Sequence, residues 1–231
     1  KRLRPILCLL VNKSLNGNQE NAINCAISVE LLHIFSLIHD DIMDNDPIRH
    51  SKETIHSKWN IPIAILAGDA ILGLAFNGLN KVRNEIKELF NSALIAVCEG
   101  QALDIEYESL NKISLENYIK MIDLKTGHMI ALCMEVGAMT AKGDQKIISE
   151  MKSVGLYIGR AFQIQDDLLD YFGNEKVTGK KIGKDFLEGK ITLPLLRAIK
   201  LASEENKKTI FKLMEKKNSS DLLQIIEIIK S

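Results

Sequence analysis

From Leu3 to Lys230 apolar residues keep returning three and four positions apart, the spacing that gathers them on one face of an α-helix. The four prolines (Pro5, Pro47, Pro62 and Pro194) all stand where a periodic segment begins or ends. Alternating strand-like runs are scarce, and no hairpin dipeptide separates two of them. The chain therefore reads as all-α, a single large bundle of mostly antiparallel helices. Helices are expected at about 5–12, 19–44, 61–79, 83–110, 114–141, 144–171, 190–202, 204–216 and 219–230. Ser114 and Ser219 or Ser220 are the expected N-caps. Residues 45–56 read as an irregular polar loop, and 173–189 as a long Gly/Lys-rich loop of the kind that is usually functional or mobile.

Two of the apolar runs end in carboxylates. SLIHDDIMD carries Asp40, Asp41 and Asp44; FQIQDDLLDYF carries Asp166, Asp167 and Asp170. Residues four apart share a helix face, so Asp40 and Asp44 point the same way, and Gln163, Asp166 and Asp170 form a similar stripe. Crowding carboxylates at the end of an apolar run without a cation costs several kcal/mol. Hard divalent cations take oxygen ligands, and Mg2+ in particular is held by a few carboxylates together with phosphate oxygens. Two stripes on facing helices would hold a small Mg2+ cluster with a polyphosphate between them. An EF-hand is excluded, because the first cluster lacks the ligand spacing and central glycine of a calcium loop.

A phosphate site needs fixed cations as well. Lys125-Thr126-Gly127 interrupts an otherwise apolar helix, Arg49 follows the first cluster, and Lys180, Lys184 and Lys190 punctuate the Gly-rich loop. Lys1 and Arg4 open the chain. No GxxxxGK[ST] or GxGxxG loop is present, so metals and side chains must hold the phosphate.

Composition narrows the alternatives. With 30 Lys+Arg against 30 Asp+Glu the chain has no net field to draw nucleic acid or an anionic membrane. The four cysteines stand singly, as free thiols in a reducing cytoplasm would. Asp69 breaks ILAGDAILGLAF, and no transmembrane segment is expected.

These motifs resemble, in order, those of the trans-type isoprenyl diphosphate synthases, the polyprenyl synthetase family. Lys1-Arg2-Leu3-Arg4-Pro5 is similar to the end of GGKRLRP, and Asp40–Asp44 to the first aspartate-rich motif in its short form. Gly68-Asp69, Gly100-Gln101-Ala102-Leu103-Asp104, Lys125-Thr126-Gly127, Phe162-Gln163, Asp166–Asp170 and Gly183-Lys184-Asp185 through Pro194 match the rest. The resemblance implies a single isoprenoid synthase domain around a central cavity, lacking an N-terminal helix and stopping short of the family's usual C-terminal end. It implies that Asp40, Asp44 and Asp166, with Asp41, Asp167 and Asp170 nearby, bind three Mg2+ (or Mn2+) bridging the diphosphate of an allylic substrate. Arg49, Lys125, Lys180 and Lys190 would hold that diphosphate, with Thr126 and Gln163 at the reacting carbon. Lys1, Arg4, His33 and His50 would hold isopentenyl diphosphate. His50-Ser51 stands where the family usually has Arg-Gly, and a histidine is a weaker anion ligand than arginine.

The product chain would run down an apolar tunnel from the first cluster. Ser36 lies nearly beneath Asp40 on the helical wheel, whereas Phe35 is about 7.5 Å down and offset by roughly 140°, so periodicity leaves Phe35 equally readable as core. An aromatic five positions before a short first motif is similar to archaeal-type geranylgeranyl diphosphate synthases. The expected product is therefore geranylgeranyl diphosphate, made from isopentenyl diphosphate and dimethylallyl, geranyl or farnesyl diphosphate by a homodimer. The alternatives are a farnesyl or bifunctional synthase and a non-catalytic subunit of a heteromeric synthase. A terpene cyclase is disfavoured, since its second metal motif is not a second DDxxD.

Overall fold

The computed structural model describes residues 2–108, 110, 113–174 and 182–230, so Lys1 and Lys180 lie outside the described residues. Among the described residues twelve α-helices run in order: α1 Leu3–Ser14, α2 Gln19–Met43, α3 Ile55–Lys58, α4 Ile61–Asn77, α5 Asn84–Glu108, α6 Leu115–Ile122, α7 His128–Thr140, α8 Gln145–Phe172, α9 Lys184–Glu188, α10 Leu193–Leu201, α11 Glu204–Lys216 and α12 Leu222–Lys230. They divide between two compact units, Lys1–Val97 with Thr126–Gly159, and Cys98–Lys125 with Arg160–Ser231.

The first unit is built around α7, which is buried along its whole length from Met129 to Thr140. A helix apolar on every side has no solvent face and belongs in the middle. Both α1 and α2 pack on it, and α2 also packs along α4. Cys25, Val29, Leu32 and Phe35 of α2 join Cys8, Ala75, Phe90, Leu132 and Val136 in one core. By length and composition alone α2 matches a membrane span. Its apolar stripe is instead consumed by this packing, the behaviour of a core helix. Arg83 closes the C-terminal end of α7 by donating to the Met139 carbonyl at 2.8 Å.

In the second unit Tyr171, Phe186, Leu195, Ile210 and Ile225 form one core, and Tyr107, Tyr118, Met121 and Ile122 another. Ser114 caps α6 by accepting from Asn117 N–H at 3.0 Å.

Three expectations need correction. The helix expected at 114–141 is broken by a π-turn, Asp123–Gly127. The supposed loop 45–56 contains a two-stranded hairpin, β1 Ile48–Arg49 with β2 Lys52–Glu53, and the first half of α3; Gly/Lys-rich 173–189 contains α9. Finally, Asn218, not Ser219 or Ser220, caps the last helical segment, accepting from Ser220 N–H at 3.3 Å into a short 3-10 turn, Ser219–Asp221. An asparagine two residues before its partner amide does this as well as serine, and spacing cannot separate them.

Gly137 marks the closest approach of α7 to α1, since a Cβ there would lie 2.5 Å from the Cys8 carbonyl oxygen and 2.9 Å from Val11 Cβ. Gly137→Ala is expected to destabilise the protein by about 1–3 kcal/mol in chemical denaturation, as overpacking does. Gly73→Ala is the control: its Cβ would meet nothing within 4 Å, and alanine's better helix propensity should stabilise the protein by up to about 1 kcal/mol.

Candidate active site

In the first unit the site is the C-terminal end of α2 and the hairpin behind it. Asp44 is the C-cap of α2, its N–H donating to the Asp40 carbonyl at 2.8 Å. The chain then turns back: Asp46 N–H donates to the Asp41 carbonyl at 2.9 Å, and Thr54 Oγ1 donates to the Asp46 carbonyl at 2.7 Å. The hairpin pairs Arg49 with Lys52 across a two-residue turn, His50-Ser51, with φ of 50° and 62°. Both turn positions need the left-handed region, the pattern of a type I′ turn.

The hairpin returns Arg49 over the acidic cluster. Its Nε donates to Asp41 Oδ1, while Nη2 stands 3.8 Å from Asp40 and 3.9 Å from Asp46. Asp41 is buried at 6% exposure, and burial pushes its carboxyl above the usual range against the opposing pull of Arg49. Asp40 and Asp44, on the expected common face, are only half-buried. His50 is exposed at the turn tip.

Deeper along α2, His33 Nε2 is 3.0 Å from Arg4 Nη1. Burial, with Arg4 and Arg49 nearby, lowers the His33 pKa to about 3, so the neutral ring accepts the guanidinium N–H. Arg4 Nε is buried without a partner among the described residues. Phe35 packs in the core at 8% exposure and faces the ring of His39; Ser36 Oγ donates to the His33 carbonyl at 2.9 Å. The half-buried Ser36 thus keeps the Asp40 side of the helix while Phe35 lies on the His39 side.

In the second unit the π-turn presents Lys125, whose Nζ is 2.5 Å from Asp104 Oδ2 of α5. The ladder of an α-helix is interrupted there, as at many functional sites. Gly100 lets α5 touch the turn: its Cβ would stand 2.3 Å from Lys125 N. Asp123, the first residue of the turn, takes a two-pronged bond from Arg160 of α8, both contacts at 2.6 Å. Thr126 is buried.

The second acidic cluster lies on α8. Asp167, 2% exposed, accepts from Tyr118 Oη at 2.5 Å, Gln163 Nε2 at 3.0 Å and Leu193 N–H at 3.1 Å. Burial pushes it above the usual carboxylate range despite those donors. The carboxylate of Asp170 receives the N–H groups of Lys184 and Asp185 at 3.1 and 3.2 Å. Asp185 is half-buried, and desolvation with Asp170 and Asp167 beside it pushes its carboxyl well above the usual range. Lys184 and Lys190 both reach Glu188, at 3.2 and 3.0 Å. Asp166 is half-buried on the same helix.

The two clusters share one plan. In each, the middle aspartate is buried and committed to protein donors, while the first stands half-buried. Among the described residues no three potential ligands converge as a preformed metal site. The donor set is nonetheless all oxygen, with carboxylates in excess of nearby cations around Asp185, which suits Mg2+ and not a softer ion. Sequence reasoning passed over Asp104 and Tyr118 as partners. A lone carboxylate in ALDIEY and a lone lysine in an apolar helix were the available signal for the first; a tyrosine on a buried face, needing an acceptor, was the signal for the second.

The polyprenyl synthetase family model matches residues 1–229. The short chain isoprenyl diphosphate synthase of Methanothermobacter thermautotrophicus is 38% identical over 99% of this chain and 72% of its own length. The crystal structure of geranylgeranyl pyrophosphate synthetase from Pyrococcus horikoshii has TM-score 0.92 at 35% identity, covering 99% of this chain and 72% of that one. A polyprenyl synthase from Caulobacter crescentus, complexed with calcium and isoprenyl diphosphate, has TM-score 0.94 at 30% identity, over 100% and 71%. Such agreement over nearly every residue, with the aspartate-rich helices and the lysine-bearing turn in family order, makes the chain a member of the polyprenyl synthetase family.

Proposed function

We propose that this prenyltransferase joins isopentenyl diphosphate head-to-tail to an allylic diphosphate, with geranylgeranyl diphosphate as its main product. The observation that supports the reading is the common plan of the two acidic clusters: a buried, hydrogen-bonded middle aspartate flanked by half-buried carboxylates. Asp40, Asp44 and Asp166 would hold Mg2+, three ions per site with Mn2+ as a substitute. Bound there, the metal supplies electrostatic stabilisation of a departing diphosphate.

Arg49, Lys125, Lys180 and Lys190 are assigned to that diphosphate, as fixed positive charges placed where negative charge develops. The allylic C–O bond breaks with its electron pair leaving on the diphosphate. The double bond of isopentenyl diphosphate attacks the allylic cation, a C–C bond forms, and the proton lost goes to the released diphosphate. Thr126 and Gln163 line the reacting carbon. Arg4 and His33, with Lys1, are assigned to isopentenyl diphosphate; an anion would give the buried Arg4 Nε the acceptor it lacks. His50 adds only a weak contact. Phe35, with Ser36 beside it, limits chain length.

A homodimer is part of this reading. Ile61, Ile65 and Leu66 leave an exposed apolar stretch on α4 that a second copy would cover. The cytoplasm is the proposed location.

Four expected outcomes test the assignment. The purified chain with Mg2+, farnesyl diphosphate and labelled isopentenyl diphosphate should yield geranylgeranyl diphosphate by chromatography, and chelation should abolish turnover; no turnover favours a non-catalytic subunit. Asp40→Asn should lower kcat by roughly 100-fold or more at unchanged melting temperature. Asp41→Asn, which breaks a buried ion pair, should cost about 1–3 kcal/mol of stability, read as a lower denaturation midpoint. Asp104→Asn should leave the fold intact but lower kcat/KM for the allylic substrate by about tenfold, because Lys125 loses the partner that aims it.

A further inference from the structure

His39 stands between Phe35 and Asp40 on α2, and the chemistry above gives it no task. Its ring is confined on two sides. Phe35, one turn earlier on the same face, presents its ring at a centroid distance of 4.7 Å and a tilt of 59°. On the other side is α4. His39 Nε2 lies 3.4 Å from the Ile65 carbonyl oxygen and 3.7 Å from Asp69 Oδ1. Gly68 completes the seat, since a Cβ there would come within 2.2 Å of Nε2 and 2.4 Å of Cδ2. The imidazole therefore occupies the space that a side chain at position 68 would fill.

We propose that His39, seated against Gly68, is a positioning residue that fixes Phe35 and thereby sets the length of the product. The proposal rests on the reading of Phe35 as the stopper. Phe35 is buried at 8% exposure in the core of the first unit, so its neighbours decide which staggered rotamer it can hold. His39 fills the α4 side of that space. Without the ring, a gap opens beside Phe35, the phenyl group turns into it, and the floor under the growing chain drops. The polar contacts at 3.4 and 3.7 Å are long for hydrogen bonds, so they orient the ring only weakly. What acts on Phe35 is the ring's volume. The glycine-aspartate pair of α4 thus has a geometric reason for its first member: only glycine leaves room for the histidine.

The test compares product distributions of the native chain, Phe35→Ala, His39→Ala, His39→Gln and Gly68→Ala, each with its melting temperature. Phe35→Ala is expected to lengthen the product. His39→Ala should raise the ratio of longer to native-length product by roughly tenfold or more, the scale set by a small change of pocket volume. His39→Gln, which keeps most of the volume, should retain the native ratio, whereas a purely structural role would show in melting temperature and not in product length. Gly68→Ala displaces the ring and should shift the ratio in a native background while adding nothing to His39→Ala. A lengthening Phe35→Ala beside an unchanged His39→Ala overturns the proposal and leaves the stopper standing. An unchanged Phe35→Ala removes the stopper and the proposal together. Glutamine shifting the product as far as alanine overturns the role of volume. If His39→Ala does not fold, Gly68→Ala decides alone: a shifted ratio supports the proposal and an unchanged one overturns it.

Discussion

A carboxylate taken out of water must be met by donors, and each acidic cluster is arranged around that requirement. Asp41 is met by Arg49, Asp167 by Tyr118, Gln163 and the Leu193 amide. Leaving either one buried without its partners would cost several kcal/mol. Each pairing does more than offset a cost. The Asp41–Arg49 pair ties the hairpin to the end of α2, and the Asp167 hub ties α6 and the start of α10 to α8. The outer aspartates inherit their positions from these anchors, since they stand one and three residues from a side chain that has a single arrangement.

The π-turn at 123–127 shows the same economy. Its wider turn presents Lys125 to Asp104. The turn is held where it starts by Arg160 on Asp123 and touched along its backbone by Gly100. A lysine on an ordinary helix would sweep a wide volume; this one is held against Asp104. A side chain ordered in advance loses less entropy in any further contact.

Most of the fold was legible because its signal is local. Periodicity located the long helices to within a few residues, and α11 at 204–216 fell where expected. What escaped depends on contacts distant in sequence or on a backbone conformation that no side chain announces. The hairpin was invisible because His50-Ser51 lacks the Asn-Gly or Asp-Gly signature of its turn. The motif residues stood out as six aspartates, but spacing could not say that Asp41 and Asp167 would be buried anchors. Asp104 and Lys125 are 21 positions apart on different elements, so only the tertiary fold reveals them as a pair. The wheel placed Phe35 off the Asp40 face, and the reason is now visible in its partner, His39.

The hairpin turn carries one further consequence. Two non-glycine residues held at positive φ store backbone strain of order 1–2 kcal/mol each. That strain sits in the arm that brings Arg49 to Asp41. Replacing His50 and Ser51 by residues that take positive φ freely would relieve it and stabilise the hairpin, while leaving Arg49 and the acidic cluster where they are.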